Sequence, residues 1–167
     1  MGRRRGNDHV VLTAVALGTI AGLRSMAAPA LLTHELSAKS RKKNRSTLEK
    51  LITSEGVARV MALLAGGEML ADKAPEMPNR TDMVPLAGRA MLGSLSAAAF
   101  ASHKKYPIAV PAAVGAVSAV ASTYASFHLR RMASERFSVP DQIFGLVEDA
   151  IVMAASKGVA EAMEAQL

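Results

Sequence analysis

The chain has 167 residues, a length that fits one compact domain; half are hydrophobic, 20% are charged, and the formal net charge is +6. A mean hydropathy of +0.21 is more apolar than an ordinary soluble domain, and it is held down by Ala and Gly, the small residues with which membrane helices pack closely. The absence of Cys excludes disulfides, thiolate metal sites and thiol nucleophiles, and the absence of Trp leaves almost no interfacial aromatic belt, which counts against a membrane reading.

Residues 1–8, with Arg3-Arg4-Arg5, read as a disordered basic tail. Residues 9–33 form the first apolar stretch. It does not read as a convincing cleaved signal peptide, because the apolar run continues into Arg24 and Met26-Ala27-Ala28-Pro29 is a poor cleavage site. Ala14, Gly18 and Gly22 recur every four residues, so they share one helix face suited to close packing. Pro29 lacks an amide hydrogen and opposes a continuous helix. A kink or break is predicted between Gly22 and Pro29.

Residues 34–56 are polar and basic and read as a solvated loop or short surface helix. A second apolar helix is predicted over 57–71, followed by an extended connection carrying Pro75, Pro78 and Pro85. The third stretch covers 84–102. Residues 107–127, 21 positions without a charge, form the cleanest spanning candidate. On it Ser118, Ser122 and Ser126 share a face. Pro140-Asp141 opens a last helix over 141–160, since both residues favour a helix start; residues 161–167 form a tail. No sustained alternation suggests a strand. The expected fold is all-α: a helical membrane domain over 9–160, of about five hydrophobic segments with at least one broken or re-entrant. A soluble helical bundle is the other architecture this composition permits.

Ionisable residues interrupt these stretches: Arg24, Glu68, Arg89, and the adjacent Glu148 and Asp149. A charge at mid-membrane costs roughly 2.5–3.5 kcal/mol, so such residues must pair, face water or bind something. Glu68 and Asp72 are four apart and share a helix face. Positive charge flanks both the first and the fourth stretch on each side, which conflicts with simple crossings under the positive-inside rule. A re-entrant or broken first stretch relieves that conflict. A two-fold pattern is also visible: Arg24 followed by Glu68 and Asp72, then Arg130 followed by Glu148 and Asp149. Internal repeats with broken helices and mid-membrane polar sites are common in transporters.

Several motifs taken together carry a family resemblance. They are Gly22-Leu23-Arg24-Ser25-Met26-Ala27-Ala28-Pro29-Ala30, Gly67-Glu68 through Ala71-Asp72-Lys73-Ala74-Pro75, Pro78-Asn79-Arg80-Thr81, and Pro85-Leu86-Ala87-Gly88-Arg89. Thr123-Tyr124-Ala125-Ser126-Phe127-His128-Leu129-Arg130-Arg131 and Val147-Glu148-Asp149-Ala150 complete the set. The sequence resembles a bacterial membrane family known only as domain of unknown function 4126. The resemblance implies an integral membrane protein and brings no activity and no catalytic residues. The basic insert 37–47 and the two tails lie outside it.

The candidate ion- or substrate-binding residues are Arg24, Glu68, Asp72, Arg89, Arg130, Glu148 and Asp149; the helix-packing residues are Ala14, Gly18 and Gly22. The functional expectation is a multi-pass protein of the bacterial inner membrane that binds or passes a small ion or polar solute at an internal charged site. The competing expectation is a non-catalytic structural or regulatory protein whose buried charges are ion pairs, with the Gly18/Gly22 face building a homodimer. His9, His34, His103 and His128 show no metal-ligand spacing, and no phosphate loop, serine elbow or metalloprotease motif appears. Neither enzyme activity, a cofactor nor a nucleic-acid partner is expected; the lipid bilayer is.

Overall fold

The computed structural model describes residues 2–38, 50, 52–71, 81–137 and 141–164. Within them the chain is all-helical. Six helices follow in order: α1 (Gly2–Leu23), α2 (Ala27–Ala38), α3 (Glu55–Ala71), α4 (Met83–His103), α5 (Ala109–Phe137) and α6 (Asp141–Glu164). Helix α1 begins at Gly2, so residues 2–8 continue the helix where a disordered tail was expected. Helix α5 runs through Arg130 and Arg131 to Phe137, ten residues past the apolar run. Helix α2 occupies part of the expected polar loop.

The inner scaffold is α1, α4 and α5, held at glycines. A Cβ on Gly18 would collide with the Gly115 carbonyl, one on Gly22 with the Ala119 carbonyl and the Ser122 hydroxyl, and one on Gly93 would lie 2.7 Å from the Gly115 oxygen. Backbones this close leave no room for a side chain, which is how small residues bring apolar helices together. Gly18 opposite Gly115 and Gly22 opposite Ala119 set α1 and α5 parallel. The short α4–α5 connection makes that pair an antiparallel hairpin. Ala14 is fully buried on the same face of α1 as Gly18 and Gly22. This face is thereby filled inside the protomer and is not open to a second copy.

The α4–α5 hairpin turns on Lys105, whose φ of 55° is left-handed. Tyr106 N–H donates to the Ala101 carbonyl and Lys105 N–H to the Ser102 carbonyl. These two bonds close the end of α4 as a Schellman turn, which favours glycine at the left-handed position.

Between α1 and α2 the helix is interrupted at Arg24, Ser25 and Met26, inside the predicted interval. Pro29 is the third residue of α2, in the first turn where amide groups have no partner within the helix. Helix α2 then folds back along the bundle. Leu32 and Leu36 are buried in one core with Phe100 and Ala101 from the last turns of α4, Val10 from the first half of α1, and Val152 and Met163 from α6. The helix packs on α3, α4 and α6 and shares this core with them. Helix α3 returns antiparallel to α2, bringing Glu68 to the break.

Among the described residues, two helices, α4 and α5, are long and apolar enough to cross a membrane, and the apolar part of α1, Asp8–Leu23, is shorter. The all-α expectation holds among the described residues, and of the about five hydrophobic segments expected, these two have the length and hydropathy of a span. Helix α3 has 17 residues and carries Arg59 and Glu68; α6 carries Glu148, Asp149, Lys157 and Glu161.

Candidate functional site: a charged cluster at the helix break

Ending a helix exposes carbonyls with no partner, and starting one exposes amide groups with none. The break between α1 and α2 does both in one place. The C-terminal carbonyls of α1 are met by Arg89 of α4, whose Nη1 donates to the Gly22 oxygen at 2.7 Å and the Leu23 oxygen at 3.0 Å. Thr123 Oγ1 of α5 lies within 2.9 Å of the same Gly22 oxygen and 2.8 Å of the Ala119 oxygen. At the other end, Glu68 of α3 accepts from Ser25 N–H at 2.9 Å, Met26 N–H at 2.8 Å, and the Ser25 hydroxyl. The negative end of α1 thus faces a guanidinium and the positive end of α2 faces a carboxylate, as the helix dipole favours. Arg89 Nη2 and Glu68 Oε1 are 3.8 Å apart and link the two caps.

Arg24 sits in the break and is 1% exposed. Its Nη2 lies 2.6 Å from Asp149 Oδ1 and 3.4 Å from the Gly145 carbonyl, both on α6. The Arg24–Asp149 contact is close in distance but lacks the alignment of a straight hydrogen bond, so its attraction is mainly Coulombic. One residue earlier on α6, Glu148 accepts from the Ser126 hydroxyl and lies 3.5 Å from Arg130 Nη1, both on α5. Successive residues on a helix point about 100° apart. One carboxylate of the pair therefore reaches α1 and the other α5.

Six of the seven candidate residues fall in this cluster: Arg24, Arg89 and Arg130 with Glu68, Glu148 and Asp149. They form three charge pairs and sum to zero. Asp72 lies outside the described residues. The pairs cross the two-fold pattern read from the sequence, since Arg24 of the first half meets Asp149 of the second. Arg89, Glu148 and Asp149 are buried, while Glu68 and Arg130 keep a little exposure. Ser25 and Thr123 were missed by sequence reading. Ser25 follows Arg24 directly at a helix start, where serine is a favoured cap residue. Ser126 belonged to a visible serine face, but nothing in the sequence tied it to Glu148. His128 lies outside the cluster, stacked on Tyr124.

Register places the cluster in depth. With a rise of 1.5 Å per residue, Arg89 is about 6 Å from the Gly93 level, Gly22 about 6 Å from Gly18, and Ser126 about 16 Å from Gly115, all toward the same end. That end holds the start of α4 and the finish of α5. A groove of about 320 Å³ lined by Ala116, Val117, Val120 and Ala121 is apolar, and none of its lining residues belongs to the charged cluster. Among the described residues no three His, Asp or Glu side chains converge as metal ligands.

No curated protein and no solved structure matches this chain. The family model described as domain of unknown function 4126 matches residues 11–160, and the chain belongs to that family.

Proposed function

We propose that this is an integral protein of the bacterial inner membrane that binds or passes a small ion or polar solute at the charged cluster. The observation that carries the reading is the interrupted helix whose two open ends are met by opposite charges from α3 and α4. A continuous apolar helix would fill the same space at lower cost, and ionisable groups placed inside an apolar bundle are functional candidates by default. Broken helices with polar ends converging on one point are a recurrent way to build such sites.

The membrane reading is supported by the outer surface. Only 28% of the apolar window of α4 and 22% of that of α5 is buried. The core helix of a soluble protein of this hydropathy would be mostly covered. Exposed Val110, Val117, Leu95 and Met91 on these helices, and Leu63 and Leu70 on α3, make an apolar surface suited to lipid tails.

The second reading, a structural or regulatory membrane protein, is favoured by one feature: each acid in the cluster already touches an arginine. Reconstituted proteoliposomes separate the two. Uptake of common monovalent ions and small zwitterions that falls at least tenfold in Glu68→Gln and Glu148→Gln, with the fold retained, supports the first. Equal flux in wild type, variants and empty vesicles would remove it.

A further inference from the structure

The sequence places basic residues on both sides of the first and fourth stretches, and the fold removes that conflict. Because α1 and α5 are parallel, the N-terminal end of α1 lies at the same end of the bundle as the α4–α5 turn. Because α2 folds back into the core that holds Phe100 and Ala101, the last residues of α2 and the first of α3 lie at that end too. Arg3 to Arg5 on the first turns of α1, Lys50 ahead of α3, and Lys104 and Lys105 in the α4–α5 turn therefore lie at one end of the bundle. The opposite end receives Arg130, Arg131 and Arg136 of α5. Of these, Arg130 is held against Glu148 and Arg131 against Glu135.

We infer that α1 and α2 form a re-entrant hairpin that enters from the cytoplasmic face, with the basic end against anionic headgroups and the charged cluster in the outer half of the bilayer. Among the described residues, six basic residues against three is a bias of the kind that sets membrane orientation. Each Lys or Arg near an anionic leaflet adds attraction. The apolar part of α1, Asp8–Leu23, has 16 residues and reaches about 24 Å, short of a full hydrocarbon core of about 30 Å. It ends beside Gly22, past the glycine level that marks the middle of α4. The inference rests on the membrane reading and fixes which side of the membrane the site adjoins.

The chain has no cysteine, so single cysteines can be introduced without removing any. Ala38→Cys and Ser102→Cys mark the basic end; Asp82→Cys and Ser134→Cys mark the other, and all four positions are exposed. A membrane-impermeant maleimide applied to intact spheroplasts is expected to label positions 82 and 134, and to reach 38 and 102 only after lysis. The reverse pattern overturns the orientation. Labelling of position 38 together with 134 from outside overturns the re-entrant hairpin. Recovery of the protein in the soluble fraction is a different failure: it removes the membrane reading itself, and this inference with it.

Discussion

The Arg24–Asp149 pair makes the sharpest energetic prediction. Arg24 is 1% exposed and the Asp149 side chain 12% exposed, with their charged atoms 2.6 Å apart. Solvent screening is weak for groups this covered, so the small values of surface ion pairs do not apply. Replacing Asp149 with Asn leaves the Arg24 guanidinium buried without its counter-charge, a change that typically costs about 3–5 kcal/mol. Arg24→Met leaves Asp149 in the same position and is expected to cost a similar amount. The double variant Arg24→Met with Asp149→Leu removes both charges and keeps apolar volume. It is expected to fall within about 1 kcal/mol of wild type, or above it, because buried ion pairs often gain little over well-packed apolar groups. The assay is helix loss followed by circular dichroism in detergent under increasing denaturant, read as a double-mutant cycle. A coupling energy below about 1 kcal/mol, or a double variant as unstable as the sum of the singles, would refute the reasoning. The same double variant is a test of role, since a purely structural pair can be replaced without loss of flux and a site residue cannot.

Three further outcomes follow from single contacts. Gly115→Val should destabilise by roughly 3 kcal/mol or more, since even a Cβ there would overlap the Gly93 carbonyl and approach Ala97 to 2.7 Å; overpacking of this kind commonly costs 1–3 kcal/mol, and a melt within error of wild type would count against the packed junction. Lys105→Gly should raise stability by up to about 1 kcal/mol, because a φ of 55° strains any side chain; an unchanged or lower denaturation midpoint would contradict that. Glu68→Ala should loosen the start of α2, where it removes the acceptor for two amide groups and a hydroxyl. Hydrogen exchange at Ser25 and Met26 should accelerate at least tenfold, while Glu68→Gln retains part of the protection.

Helix type and several limits were legible because they depend on local chemistry. Pro140-Asp141 marks the start of α6, and Gly22 to Pro29 brackets the interruption, through rules that need no tertiary contact. The ends of α2 and α5 were not legible, because packing decides them: α5 keeps its helix beyond Leu129 while Arg130 reaches Glu148, and Leu32 and Leu36 are held by a core assembled from distant segments. The sequence likewise showed basic and acidic groups on different helices but not their pairing. Arg24 meets Asp149 across 125 positions of sequence, and only the parallel setting of α1 and α5, with α6 laid back beside them, brings the two together. Lys105 carried no sequence signal, since its left-handed backbone is imposed by the turn and not by its side chain.

The charge balance of the cluster constrains what could enter it. Three guanidinium groups and three carboxylates cancel, and the apolar surroundings penalise any net charge left behind. A lone cation bound there would have to displace a guanidinium from its carboxylate. An anion faces the mirror requirement at the α2 start, where Glu68 already holds the Ser25 and Met26 amides. A zwitterion needs neither, because its two ends cancel as the protein's do. Of the described acids in the cluster, Glu68 is the one most readily exchanged. Its side chain keeps 17% exposure, and it sits on α3, whose packing is concentrated on α2. On the proposed reading, Glu68→Gln should therefore alter solute selectivity before it alters the fold, whereas Asp149→Asn should alter the fold first.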